Sequence, residues 1–222
     1  MPGTRPPCPL PDRLPVFPLS GVVLMPFGQL PLNVFEPRYL HMVDDVLGAN
    51  RLIAMIQPRH TENALVADDA KLYDIGSVGR IVQFNDPGDG RYLITLKGLS
   101  RFRVRAVSAP ESGRGYRMVT TDYGPFVGDM TDRASTDPHS RERIMDLMRS
   151  YFNEQDIAAD WEAVDEAPFG ALLASLVMSC PFRAPEKQAL LQCDSTESRA
   201  EMLISLFEMR DSLVPDHGDL KH

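Results

Sequence analysis

LPVFPLSGVVLMPFGQLPLNVFEPRYLHMVDDVLGANRLIAMIQ, residues 14–57, is the stretch whose reading decides the fold. Three apolar runs, at 16–19, 22–25 and 30–35, have the β-branched and aromatic content and the Pro and Gly punctuation of short strands. An amphipathic helix follows. Glu36 precedes Pro37, so its backbone is driven out of the α region, while Pro37 takes the first helical position, where a missing N–H costs nothing. Leu40, Val43 and Leu47 then recur at helical spacing, and Gly48 stands at the C-cap position. Leu52 to Ile56 reads as a buried strand that ends at Pro58. Strands interrupted by one helix and then resumed begin a barrel-like module.

Beyond this stretch, 59–71 is polar and reads as a loop or an irregular turn of helix, long enough to be either a binding loop or a disordered one. Ile75 to Phe84 is a strand, NDPGDG at 85–90 is dense in turn chemistry, and Tyr92 to Leu96 returns as the second arm of a hairpin. From Leu99 to Val107 the alternation places Phe102, Val104 and Ala106 on one face and Arg101, Arg103 and Arg105 on the other, a half-buried antiparallel strand. Tyr116 to Tyr123 reads as the last strand, and 124–138, rich in Gly, Pro, Asp and Thr, as the way out of the β region.

The remainder is helical. Asp137 and Pro138 supply a cap and a first-turn proline, with Ile144, Leu147, Met148, Tyr151 and Phe152 as one apolar face. Trp161, Phe169, Leu172, Leu173, Leu176 and Val177 form the next apolar set, entered at Ala167 and Pro168. Pro185 opens a short helix to Leu191, and Asp194 with Glu197 makes a capping-box pattern for a last helix burying Met202, Leu203 and Leu206. The fold expected is α+β: a flexible Pro-rich lead-in (1–12), a β-rich subdomain (13–124), a linker (125–137), a small α-helical bundle (138–213) and a flexible tail (214–222).

LPVFPLSGVVLMPFGQLPLNVFEPRY at 14–39, IGSVGRIVQF at 75–84, LITLKGLSRFRV at 93–104 and, more weakly, PFRAPEKQALLQCDSTESRAEMLISL at 181–206 resemble the N-terminal substrate-binding domain of the Lon ATP-dependent proteases, in the stand-alone form that bacteria also encode. The resemblance spans nearly the whole chain in family order. It implies a PUA-like barrel for the β-rich part and a protein-binding role tied to proteolysis. Function sits on sites rather than folds, so the residues have to be read for themselves.

Composition narrows the classes. A chain of 222 residues with 43% hydrophobic content can bury a sizeable core. No apolar run approaches the roughly 20 residues of a membrane helix, and the start of the chain has no apolar core of a signal peptide. Cys8, Cys180 and Cys193 are odd in number and unpaired in spacing, which points to reduced thiols and a cytoplasmic location. Residues 1–117 carry 14 Lys and Arg against 11 Asp and Glu, and residues 118–222 carry 9 against 20, within a net charge of -8. The acidic second half argues against nucleic acid as the general partner.

Motifs for chemistry are missing. There is no G-x-x-x-x-G-K-[ST] phosphate loop, no G-x-S-x-G elbow and no H-E-x-x-H helix, and the resemblance stops short of the family's Ser-Lys proteolytic domain. The chain is therefore expected not to be an enzyme and to need neither cofactor nor metal. Cys180 and Cys193 have no histidine between them, so buried thiols are the simpler reading. His41 with Asp44 and Asp45 one turn on reads as a surface pair, and His60, His139 and His217 have polar neighbours only.

Three residue groups remain as candidates. Glu36, Arg38 and Tyr39 at the helix start would hold a partner by charge-assisted bonds or brace the helix to the barrel. Phe17, Leu19, Phe27 and Leu32 would supply apolar affinity if exposed along a groove. Arg101, Arg103 and Arg105 form either a solvated sheet face or an anion-binding one. Two function classes follow: a non-enzymatic module binding unfolded or exposed protein segments, as the resemblance implies, or an RNA-binding protein using the arginine strand. The sequence pI near 5.1 and the absence of an interleaved aromatic and basic platform weigh against RNA. Oligomeric state is left open.

Overall fold

The structure is a computed structural model that describes residues 10–60, 66–110, 113–130, 138–154, 158 and 160–211. Cys8, Asp137, His217, the tail 214–222 and most of the expected lead-in and linker lie outside the described residues.

Six strands form a mixed sheet: β1 (Arg13–Pro18), β2 (Gln29–Val34), β3 (Leu52–Ile56), β4 (Ile75–Asn85), β5 (Tyr92–Ser108) and β6 (Met118–Asp122). Their order is β2-β5-β4-β3-β1-β6, and β6 also pairs with β5. Five strands thus close on themselves, and β2 lies outside the ring on the first half of β5, with Gln29 opposite Lys97 and Val34 opposite Tyr92. Only β1 and β3 run parallel. The expected hairpin and the arginine strand are one continuous strand of 17 residues. Its pairing with β4 survives Gly98 because the register shifts between Val78 and Gly79 and again between Ile81 and Gln83, bulges that turn the strand out of the ring rather than ending it.

Burial explains why β3 is apolar at every position. Leu52, Ala54 and Ile56 join Leu14, Val16, Val78, Phe102 and Val119 in one buried cluster, while Ile53 and Met55 join a second cluster under the first helix. That helix, α1 (Pro37–Leu47), has Glu36 as its cap in extended backbone, Pro37 at its start and Gly48 at its C-cap, as expected. Its buried face is Tyr39, Met42, Val43 and Val46. Leu40 and Leu47, expected at its centre, are half-buried at its margin.

The run 22–25 corrects another expectation: it joins no ladder. Its side chains still alternate, Leu24 entering the cluster under α1 and Val23 and Met25 the core of the helical layer. It crosses the sheet where Gly79 and Gly98 leave room for it. A Cβ on Gly79 would lie 2.5 Å from Leu24, and one on Gly98 would strike the Met25 carbonyl.

The helical layer comprises α2 (Pro138–Glu154), α3 (Trp161–Glu166), α4 (Phe169–Ser179), α5 (Ala184–Gln192) and α6 (Thr196–Asp211). Ile144, Leu172, Leu173, Val177, Leu190, Leu203 and Phe207 are at its centre. Phe207 takes the buried place expected of Leu206, and Met202 and Leu206 are half-buried. The cap of α6 is Ser195, whose Oγ accepts the Ser198 N–H at 3.1 Å, in place of the expected Asp194–Glu197 box. Glu186 makes the reciprocal contact at α5, accepting the Arg183 N–H at 2.8 Å.

The described ends of the expected lead-in and linker contact the barrel. Within the lead-in, Asp12 accepts the Thr121 N–H at 2.8 Å, so the chain is docked from there on. Within the linker, 3-10 turns at Gly124–Met130 bury Phe126 against β5. The Gln57 side chain joins the layers: its amide donates to Ala184 O at 3.0 Å and to Gln188 at 3.1 Å, and it accepts from the Gly21 N–H at 2.8 Å.

Gly98→Ala should lower stability by about 1–3 kcal/mol, the usual cost of overpacking a close approach, read as a shift in denaturation midpoint. Gly128→Ala, where nothing lies within 4 Å of the added Cβ, should change it little. Equal shifts would contradict this account of the 22–25 crossing.

Candidate functional site

Beyond the ring, β2, the first half of β5 and the second half of β4 continue as a three-stranded extension. Pairing of β3 with β4 stops at Leu52 opposite Arg80, so Gln83, Phe84 and Asn85 have a ladder partner on one side only. On the other flank β2 pairs with β5 alone, and Pro31 blunts that edge because proline has no N–H to offer.

Alternation along these strands sorts their side chains. Leu30, Leu32, Ile94 and Leu96 face α1, so Leu93 faces away, and it is 43% exposed. Phe84 is opposite Ile94 in the register yet lies beyond the helix, 43% exposed and stacked edge-on to Tyr92 with centroids 5.1 Å apart. Phe35, next after β2, is 61% exposed, and Val82, in the bulge, is exposed too. A shallow groove of about 560 Å³ runs over Pro31, Leu32, Phe84, Leu93 and Thr95. Large apolar side chains left exposed on a sheet extension with an open edge at 83–85 make it a candidate interaction surface.

The residues chosen from sequence are dispersed. Phe17 is core, its ring 4.5 Å from that of Tyr39, and Leu19 packs on the same cluster. Leu32 reaches the groove, and Phe27 lies instead at a cleft between barrel and helices. Glu36, Arg38 and Tyr39 act as a brace: Arg38 donates to Glu36 at 2.7 Å and to Val66 O at 2.9 Å, pairs with Asp68, and covers the Tyr39 ring at 4.6 Å. Sequence reasoning missed Val82, Phe84 and Leu93. The alternation in 92–96 signalled Leu93, but strand-end exposure depends on where α1 stops.

Arg101, Arg103 and Arg105 do not form one face. Arg101 is 4% exposed. Its Nε and Nη2 each donate to Asp129 at 2.8 Å, its Nη1 donates to Leu191 O at 3.0 Å and Cys193 O at 2.5 Å, and its guanidinium covers the Phe126 ring. Arg105 pairs with Asp122 at 2.5 Å in the open, and Arg103 is exposed. The anionic-ligand reading, and the RNA alternative built on it, therefore lose their first member to the interior.

Among the described residues, no group of three or more His, Cys, Asp or Glu is placed to hold a metal. Cys180 is buried and Cys193 half-buried, where burial pushes its thiol up. His41 lies 3.8 Å from Asp45. No described helix is long and apolar enough to cross a membrane.

Comparison with known proteins agrees with this geometry. A family model described as the ATP-dependent protease La (LON) substrate-binding domain matches residues 13–208. Lon protease 2 of Myxococcus xanthus is 33% identical over 216 residues, covering 92% of this chain and 24% of that protein. Lon protease 2 of Sorangium cellulosum is 34% identical over 111 residues, covering 50% of this chain and 14% of that protein. The chain thus spans under a quarter of the length of these relatives. Two solved structures share the fold: a Lon N-terminal domain protein from Xanthomonas campestris (TM-score 0.61, 24% identity, 87% of this chain and 97% of that one) and the N-terminal domain of Mycobacterium avium complex Lon protease (0.62, 13%, 88% and 98%).

Two predictions follow from the buried polar groups. Asp129→Ala leaves Arg101 charged and unpaired in the interior and should cost about 3–5 kcal/mol in urea unfolding, whereas Arg105→Ala, losing an exposed pair, should cost no more than about 1 kcal/mol. Burial pushes the Tyr39 phenol up to about 12. The neutral form is therefore favoured by folding: its contribution is complete below the ordinary tyrosine value near 10 and is lost as pH rises through about 12. Tyr92, bonded to Asp44, and the half-buried Tyr123 are also held up, so phenolate absorbance should show several late-ionising tyrosines, and Tyr39→Phe should remove the step at about 12.

Proposed function

Since the chain belongs to the ATP-dependent protease La (LON) substrate-binding domain family, we propose that it is a non-enzymatic protein-binding module that captures exposed apolar segments of unfolded proteins and serves proteolysis by holding them. The observation that carries this reading is the exposure of large apolar side chains on both faces of the three-stranded extension, Phe84 on one and Leu93 on the other, with Val82 and Phe35 exposed nearby in sequence. An extended client strand would pair with the open side of β4 at 83–85, its main chain supplying hydrogen bonds without regard to sequence and its side chains lying on Phe84 and Leu93. Non-directional apolar contact suits clients that share exposure rather than a motif.

The test is binding of a labelled, permanently unfolded client, reduced and carboxymethylated α-lactalbumin, followed by fluorescence anisotropy. Affinity should hold within about twofold as salt rises to about 1 M, because apolar attachment is not screened. Replacing Phe84 and Leu93 together by Ser should weaken binding at least about tenfold, since each buried apolar side chain contributes about 1.5–3 kcal/mol, with the circular dichroism spectrum unchanged. Replacing Arg103 and Arg105 by Ala should leave binding intact. Loss of binding at moderate salt, or wild-type affinity in the Ser variant, overturns the reading.

A further inference from the structure

A second cavity, of about 460 Å³, lies between the barrel and the helical layer, away from the sheet edge. Its volume is that of a small-ligand or side-chain pocket, for which the usual range is roughly 300–1,000 Å³. Met25, Phe27, Phe126 and Ala174 make an apolar wall. Phe27 holds a left-handed backbone, φ 66°, which a bulky residue rarely adopts, and stays 39% exposed at the mouth.

The opposite end is built of hydrogen-bond donors. Helix α6 begins there, with Thr196 and Glu197 lining the cleft. The first N–H groups of a helix have no partner within it. Ser195 Oγ takes only that of Ser198.

Arg199, one turn on, lines the same end and is 8% exposed. Its Nε donates to Leu190 O at 3.0 Å and its Nη2 to Cys193 O at 3.4 Å, both neutral carbonyls. Arg101 beside it has Asp129; Arg199 has no carboxylate within ion-pair distance among the described residues, and its Nη1 has no hydrogen bond there. Burial first, and then the neighbouring Arg101, hold it down to about 10, so it remains a cation at neutral pH. Asp129 offsets this charge only from a distance, and a desolvated cation with no ion-paired carboxylate is costly to hold.

Asp194 and Glu197 stand exposed on the rim. With Asp129 they set three carboxylates beside the two guanidiniums of Arg101 and Arg199, so an approaching carboxylate is repelled at the rim and needs an apolar neighbour to hold it.

We propose that this cleft takes the C-terminus of a captured chain, with the α-carboxylate on the first turn of α6 and Arg199 and the last apolar side chain against Phe27, Phe126 and Ala174. Capture of a terminal carboxylate by main-chain donors is a known mode of peptide recognition. This assignment rests on the client-capture reading and adds a preference for one end of the client.

Fluorescently labelled peptides ending in Leu-Phe, as the free acid and as the C-terminal amide, test it on the unaltered protein. The acid should bind at least about tenfold tighter, as expected for charge-assisted hydrogen bonds; equal affinities, or no binding of either, overturn the proposal. Acetate at matched ionic strength should leave the acid peptide bound, and its displacement by acetate alone would overturn the terminal assignment in favour of a plain anion site. Arg199→Gln should erase the acid–amide difference. Phe27→Ser, at an exposed position, should weaken acid and amide alike, and it decides the apolar wall even where the Arg199 variant does not fold. Binding of unfolded α-lactalbumin, measured in parallel, separates the two readings: if it persists while acid and amide bind equally, only the cleft assignment falls.

Discussion

Burying Arg101 is the constraint to which both layers of the molecule answer. A guanidinium taken out of water must find acceptors for its donors, or the charge becomes prohibitively expensive to hide. None of its acceptors is local in sequence. Asp129 comes from the 3-10 turns after β6, and the two carbonyls come from the end of α5 and the residue after it. Meeting them brings the helical layer onto the barrel and gives 124–130 a defined place against β5. Gln57 repeats the device with neutral groups, its amide tying the end of β3 to α5 and to the β1–β2 loop.

With the layers joined, β5 can be much longer than the ring requires. Its second half closes the barrel against β6, and its first half leaves the ring with β2 and β4. The apolar side chains that pack with α1 stabilise this extension, and Phe84 and Leu93 on it remain in water. Exposed apolar area on an open edge is an aggregation liability in an ordinary domain. In the function proposed, it would be the working surface. Its location at the tip keeps it apart from the Arg101 network, so side chains there can change without disturbing the join between layers.

Much of the fold was legible in local chemistry. Pro37 after Glu36 started α1, the glycines and aspartates of 85–90 turned the chain between β4 and β5, and the apolar run 52–56 was a strand buried on both faces. These are short-range effects: a proline ring, a left-handed glycine and a run of β-branched residues act within a few positions of themselves. Residues 22–25 show where that logic ends. They alternate as a strand does, yet the glycines opposite them let the chain cross the sheet instead of pairing in it.

The sequence by itself determined most of the elements, their order and the β-then-helical division, because propensity and periodicity are properties of neighbouring residues. It also showed no phosphate loop and no H-E-x-x-H helix. Only the tertiary structure decided which polar residues are interior and which apolar ones are not. Arg101 and Arg103 occupy equivalent places in one alternating pattern, but a carboxylate 28 positions away reaches the first and not the second. Phe17 and Phe84 are both aromatic residues in strands. The first packs against Tyr39 of α1 and the second is left exposed beside Tyr92, and no local pattern records which part of a sheet a helix packed from elsewhere covers.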